Sequence, residues 1–414
     1  MMAKLEREAF EILDAMEAKA TSVQEAQWFI DQMRNAFSEN TVKRLEPRLI
    51  VLGEDIPQEL ALALDPKAFF VFGGSLETTH WSDALLPRDA DPVSRSACGW
   101  LVNPHFNMAD DALVVTALSS DNRRKLVGLL RGQGGKVASA DMPPKGYARA
   151  GQAAWTESML RLVNDMERHL HTRLTYRRLA VAIEEKKEIQ RGIAAFRQAA
   201  LDVPQYIPAT LRGIIIESVW YAPDRAEWLR QLYRLTGELR TLATGRYIKP
   251  DNRPRVLLAG SPVIFPNEKL PLLLEASGLN LVDRVDSLSM QMRIPTPRPK
   301  RFENIKGLVR RMAANRLPWE MSGAWTENRG LLAAVKTRME KQHVDGIVYH
   351  VLKGQIDYDF ELPRAEALAA SMGVPVFRLE TDYQQQDVEQ LRIRMEAFGE
   401  MLRQNNEEGM RMAQ

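Results

Sequence analysis

Cysteine is almost missing from this chain: of 414 residues only Cys98 carries a thiol. One thiol excludes a disulfide within the chain, and it excludes a metal or iron–sulfur centre held by the chain's own cysteines alone. Long apolar runs are missing too. No stretch reaches the roughly eighteen apolar residues that a membrane span needs. The opening MMAKLEREAFEILDAMEAKA is charged and helical in pattern, without the apolar centre of a signal peptide. The expectation is a soluble, cytoplasmic protein with no membrane partner. An excess of one charge is also lacking, since 56 basic residues balance 54 acidic ones to a formal +2. Nucleic-acid binding therefore has no compositional support. Histidines number six, and the one close pair, His169 and His171, stands at a spacing that sends the two rings to different sides of a helix. Neither a G-x-G-x-x-G nor a G-x-x-x-x-G-K-S/T loop follows any strand-like run, so a standard dinucleotide or P-loop site is unsupported. G-x-S-x-G is absent as well.

What the chain does have is length for two or three cores and an alternation of short apolar runs with amphipathic segments. Residues 1–45 read as a helical arm, a lid or partner-contacting element, from apolar positions at helical spacing: Phe10, Leu13, Met16, then Val23, Ala26, Ile30, Met33 and Phe37. Residues 46–250 read as a first α/β domain. Leu49–Leu52, Phe69–Phe72 and Ala112–Thr116 are its strand-like runs, SSDNRRKLVGLL is a capped helix, and a helical insertion occupies about 152–245. Trp155, Met159, Leu162, Val163 and Met166 stripe the first helix of that insertion. The polar, proline-rich Gly245–Pro254 segment is the expected boundary.

Residues 251–414 read as a second α/β domain. RVLLAG, LNLVDRV, VDGIVYHV and VPVFRLET are strands, separated by NEKLPLLLEASG, GLLAAVKTRMEKQH and PRAEALAASMG as helices and closed by DVEQLRIRMEAFGEMLRQ. Such an order predicts two Rossmann-like, doubly wound parallel sheets, the second clearer than the first. Ligands then belong beyond the carboxyl ends of the strands. In the second domain those loops are Ser261–Asn267, Asp286–Met292, Leu352–Asp359 and Asp382–Gln386. Three motifs place a polar residue at such ends: RDADPVSRSACG with Asp91, LLAGSPVIFP with Ser261, and HVLKGQIDYDFE with Gln355.

On these motifs the chain resembles the subunits of the 2-hydroxyacyl-CoA dehydratase and benzoyl-CoA reductase family of anaerobic metabolism. AGSPVIFPNEKL is similar to the family's strand-Gly-Cys-Pro with its following K-L helix, and LKGQIDYDFE to its Leu-Lys-Phe-Cys-Asp-Pro-Tyr-Asp-Tyr-Glu. GVPVFRLETDYQQQDVEQLRIRMEAF resembles the family's ending, and LPRDADPVSRSACG more weakly resembles a third cysteine-bearing segment. The resemblance spans roughly 40–405. It implies a fold of this class and a 4Fe-4S cluster, held by one cysteine from each motif, that passes an electron to a CoA thioester. Here those three positions read Asp91, Ser261 and Gln355. Cys98 stands seven residues past Asp91, off the ligand position.

The resemblance thus implies a subunit with no cofactor of its own, acting on an acyl-CoA beside a paralogous cluster-bearing subunit and an ATP-dependent electron activator. Two alternatives stay open: a non-redox or CoA-ester-binding protein, with Asp91 and Asp357 as acid or base, and a scaffold without chemistry. Lys353 and Arg88 are candidate contacts for CoA phosphates, and His350 is the histidine placed at a strand end. Each residue also has a plainer role available. Gln355 can cap the next helix, Ser261 can satisfy backbone groups in its turn, and Asp91 before Pro92 can start one. Lys353 and Arg88 can lie on a solvated face, and Tyr358 and Phe360 can belong to the core.

Overall fold

The structure, a computed structural model, describes residues 2–103, 106, 111–146, 148–245, 251–319, 321, 325–326 and 328–412. His105 and residues 246–250 of the expected boundary lie outside the described residues. Among the described residues eight strands form two four-stranded sheets, every pairing parallel. The first contains β1 (Leu49–Leu52), β2 (Phe69–Val71), β3 (Leu113–Leu118) and β4 (Lys136–Asp141) in the order β2-β1-β3-β4. The second contains β5 (Arg255–Gly260), β6 (Asn280–Val285), β7 (Gly346–Leu352) and β8 (Val376–Thr381) in the order β6-β5-β7-β8. The inner strands β1, β3, β5 and β7 are apolar runs buried on both faces, as a sheet covered by helices on each side requires. Strand β4, KVASAD, escaped the sequence reading: it is an edge strand of small residues with a single valine. No helix among the described residues is long and apolar enough to cross a membrane.

The helices depart from expectation in three places. The N-terminal arm, Met2–Lys19 and Ala26–Phe37, is helical as expected and is packed into the body of the chain, not held over it as a lid. Its stripe of Leu5, Leu13, Met16, Phe29, Ile30 and Met33 is fully buried in one core with the helices Ala209–Glu217 and Arg225–Gly245. Phe37 at its end meets Phe265 edge-on at 4.9 Å, so the arm also touches the second half of the chain. Leu13→Ala is accordingly expected to lower the unfolding free energy by about 2–5 kcal/mol in a denaturant titration, where a free arm would leave it unchanged. A helix not foreseen, Ile305–Arg316, returns from the second half to pack Leu308, Val309 and Met312 under the first sheet, beside Arg149–Leu170. The helix after β7 begins at Ile356, seven residues before the expected Pro363. Asp357 and Asp359 stand in its first turn, where carboxylates favour the positive end of the helix dipole. Phe360, expected in the core, is 74% exposed, whereas its neighbour Tyr358 is buried.

A candidate active-site cleft

The carboxyl ends of the two sheets face one another across a cleft of about 70 Å³. Glu54 and Asp55 follow β1, while Ser119 and Ser120 follow β3; from the second half come Pro262 after β5, Ser287 after β6 and Gly354–Tyr358 after β7. Two glycines make this arrangement possible. Gly260 has φ +114°, and a Cβ there would stand 2.1 Å from the His350 carbonyl oxygen, so only glycine lets β5 lie this close to β7. Gly354 has φ +81° and would set a Cβ 3.0 Å from the Asp91 backbone nitrogen, so the loop after β7 rests directly on the loop before the helix Pro92–Val102.

That contact joins two of the three motif positions. Asp91 caps the helix Pro92–Val102, its Oδ1 accepting from the Ser94 amide at 2.9 Å. The same oxygen accepts from Gln355 Nε2 at 3.3 Å. Gln355 stands at the N-cap of the next helix but makes no side-chain cap bond, and its Oε1 is buried without a hydrogen-bond partner among the described residues. Ser261 lies one layer behind, with Oγ accepting from the Leu352 amide at 2.9 Å, and Pro262 rather than Ser261 reaches the cleft. The plainer readings are therefore partly realised: Asp91 is a helix cap and Ser261 satisfies a backbone amide, but of β7 rather than of its own turn.

His350 is buried behind the same layer. Its Nδ1 donates to the Ser261 carbonyl at 3.2 Å, and Nε2 accepts from the Thr381 hydroxyl at 2.8 Å. Burial, aided by the nearby Lys269 charge, pushes its pKa down to about 3. The ring is thus a neutral clamp across β5, β7 and β8. A group depressed in the fold favours it at pH above the free imidazole value of 6.5, and that contribution is lost as pH falls through 6.5 towards 3. The loss of stability over that window should be absent in His350→Gln, measured by denaturant unfolding at stepped pH. Lys353 is an exposed side chain paired to Asp382 at 2.8 Å, and Arg88 is exposed at the surface; neither lines the cleft.

Acid groups dominate the cleft walls. Burial, then the neighbouring charge of Glu54, raises Asp55 to about 6, against the lowering effects of Ser119, Arg123 and Arg316. Asp357, one of the expected acids, lines the cleft and is also raised, by burial first and then by Asp121 and Asp91. Across the cleft the Tyr358 hydroxyl is hydrogen-bonded to Ser287, and Ser287 Oγ donates to the Glu54 carboxylate. Of the described residues that line the cleft one is cationic: Arg123, 6% exposed, with Nη1 lacking a hydrogen-bond partner among the described residues. Its guanidinium lies over Gly53, where a Cβ would come within 2.9 Å. The site can hold a small polar group between a guanidinium and carboxyls, of which Asp55 is poised to give or take a proton near neutrality.

Glu54, Asp55, Ser119 and Arg123 fall outside the sequence expectation, which named Asp91 alone for the strand ends of the first domain. Their signal was in the sequence: LIVLGED puts a glycine and two acids directly after β1, and SSDNRR follows β3 with the cap Ser120. Ser287 lay inside an expected loop.

A 4Fe-4S cluster does not fit these residues. Carboxylate, hydroxyl and amide are hard donors, poor for iron–sulfur iron, and Asp91 and Ser261 already serve backbone amides. The sole thiol, Cys98, is sealed in the core among Ala97 and Trp100, with its pKa raised to about 11 by burial, so it is neither exposed nor readily a thiolate.

Residues 55–402 match the family described as 2-hydroxyglutaryl-CoA dehydratase, D-component. The chain is 26% identical over 356 residues to the Escherichia coli (strain K12) protein named "Putative dehydratase subunit YjiM", covering 84% of this chain and 89% of that one. It is 24% identical over 241 residues to the "(R)-phenyllactyl-CoA dehydratase beta subunit" of Clostridium sporogenes, covering 58% of this chain and 61% of that one. The match to the family covers every strand of the two sheets but β1 and every residue of the cleft except Glu54, and the chain belongs to the 2-hydroxyglutaryl-CoA dehydratase D-component family.

Proposed function

We propose that this chain is a cluster-free subunit of a heteromeric 2-hydroxyacyl-CoA dehydratase, paired with a paralogous subunit that carries the 4Fe-4S cluster and is charged by an ATP-dependent electron activator. The observation that carries this reading is the Asp91–Gln355 hydrogen bond at 3.3 Å. Two positions at which the resembling subunits keep cysteines are neighbours here, as a shared ligand site demands, yet they are bonded to each other. The scaffold of the site is retained and its metal chemistry is not. The relative named as a beta subunit supports a second subunit. On this reading the cleft contributes polar contacts to the acyl thioester, with Arg123 against its oxygen atoms and Asp55 or Asp357 against its hydroxyl.

Purification from the native host tests the pairing. The expected result is co-elution with a paralogue that has cysteine at all three motif positions, with dehydration of a 2-hydroxyacyl-CoA shown by the pair and not by this chain alone. Turnover by the isolated chain would overturn the proposal. A second reading, CoA-ester binding with non-redox acid–base chemistry, is favoured by Asp55, whose pKa of about 6 suits proton transfer near neutrality. It is distinguished by turnover without any partner that Asp55→Asn abolishes.

A further inference from the structure

We propose that a small inorganic anion binds in a second, arginine-lined cavity, enclosed between the helices Tyr176–Asp202 and Ala209–Glu217 and the edge strand β6. The cavity holds about 60 Å³. One water takes roughly 10–15 Å³ in such a measure, so the space suits a halide or a tetrahedral oxyanion such as phosphate and is far too small for a nucleotide.

The donors come first. Arg212 is 7% exposed; its Nη2 donates to the Leu281 carbonyl, while Nη1 has no hydrogen-bond partner among the described residues. Arg197, on the facing helix, has Nε and Nη1 buried without one, its nearest carboxylate being Asp283 Oδ1 at 3.7 Å. Both guanidiniums line the cavity. A buried charged donor left unmade costs more than the roughly 1–3 kcal/mol of a neutral one, so donors of this kind are expected to have an occupant.

The charge balance says which occupant. Asp283 is shared by Arg197, by Arg293 at 2.7 Å and by Arg338 at 3.0 Å. Arg284 is taken by Glu217 and Glu268. Glu275, the other acid near Arg212, accepts from Thr210 and from Lys19. Asp286 also acts on Arg197, though it does not line the space. Of the described residues that line it, Arg197, Arg212 and Arg284 stand against Asp283 and Glu217, so positive charge is in excess there. Burial depresses both Arg197 and Arg212, the latter to about 10, as expected of buried cations whose counter-charge is incomplete. Gln342 Oε1, an acceptor without a partner among the described residues, also lines the space, so water alone is the competing occupant. An outer groove of about 500 Å³, flanked by Lys19 and Arg253, adjoins the cavity and shares Arg212 with its lining.

The site is joined to the cleft. Ser289 lines the cavity, its Oγ donating to the Arg284 carbonyl at 3.1 Å and accepting from the Asp286 amide at 3.2 Å. The same loop delivers Ser287 to the cleft. Anion binding would firm this loop whatever reaction the cleft performs.

The test is thermal unfolding of the full chain at constant ionic strength, with a bulky sulfonate salt replaced stepwise by bromide or by inorganic phosphate. A saturable rise in midpoint of about 2–4 °C is expected for at least one anion, and the response should be lost in Arg212→Gln and in Arg197→Gln. A response to bromide alone makes the site a halide site; a response to phosphate alone makes it an oxyanion site. Should either variant fail to fold, crystals of the unaltered chain soaked in bromide should show anomalous density inside the cavity. A midpoint indifferent to both anions overturns the proposal, as does an equal response in a folded variant.

Discussion

Arg284→Met is expected to lower the stability of this chain by about 3–5 kcal/mol at pH 7, the largest effect of any single substitution considered. Arg284 is 6% exposed and reaches from β6 to Glu217 on the helix Ala209–Glu217 at 3.2 Å and to Glu268, the residue before the helix Lys269–Ala276, at 2.5 Å. Glu217 also accepts from the Phe265 amide at 3.1 Å, so the three side chains tie the helical region to the second sheet. Methionine fills similar volume, but it leaves two carboxylates buried without a counter-charge. Their pKa values are already raised above the ordinary carboxylate value by burial, with Arg284 the main opposing influence. Without it they rise further. A carboxyl raised in the fold contributes stability below its free value and loses it as pH rises through the folded value. The variant should therefore be least stable at neutral pH and regain part of the loss between pH 7 and about 4.5, as read by urea unfolding at stepped pH. A deficit that does not change with pH would mean that lost packing, not stranded charge, sets the cost.

Asp55→Asn should act in the opposite direction on stability. A carboxyl held at about 6 instead of 3.8 weakens the fold by on the order of 2–3 kcal/mol once the pH is well above both values. Asparagine keeps the shape and an acceptor for Ser119 while removing the charge beside Glu54. The variant is expected to gain about 2 kcal/mol at pH 8, and the gain should shrink as pH falls through 6 and vanish near 3.8. Activity of the assembled enzyme should fall, because a strained, buried acid in a cleft is retained for what it does. Stabilisation with full activity would assign Asp55 no part in the chemistry.

Much of this was written in the sequence, and the reasons are specific. VDGIVYHV and RVLLAG announced buried parallel strands because covered strands need no polar face, and the structure has β7 and β5 there. Gln355 follows β7 as its motif implied, whereas Asp91, expected at a strand end, is separated from β2 by the short helix Leu76–Thr79 and the turn His80–Ser82, and no local signal says that the two are bonded partners. Their sequence separation is 264 residues, and only the packing of one half on the other brings them together. The N-terminal arm misled for the same reason. An apolar stripe at helical spacing states that a face will be covered and not what covers it. His350 was a candidate site residue from its place at a strand end, since sequence does not distinguish a ring facing the cleft from one turned into the Ser261 and Thr381 layer. Arg212 and Arg197 carry no local signal of burial, because a helical arginine ordinarily faces water.

The central claim is that this chain keeps the site of a cluster-bearing subunit but holds no cluster itself. Iron and acid-labile sulfide, determined under anaerobic conditions on the isolated chain and on the complex purified from the native host, test it most directly. The account predicts none beyond background in the isolated chain, with iron in the complex confined to the paralogous subunit. About four irons and four sulfides per isolated monomer, the content of one cluster, would contradict it.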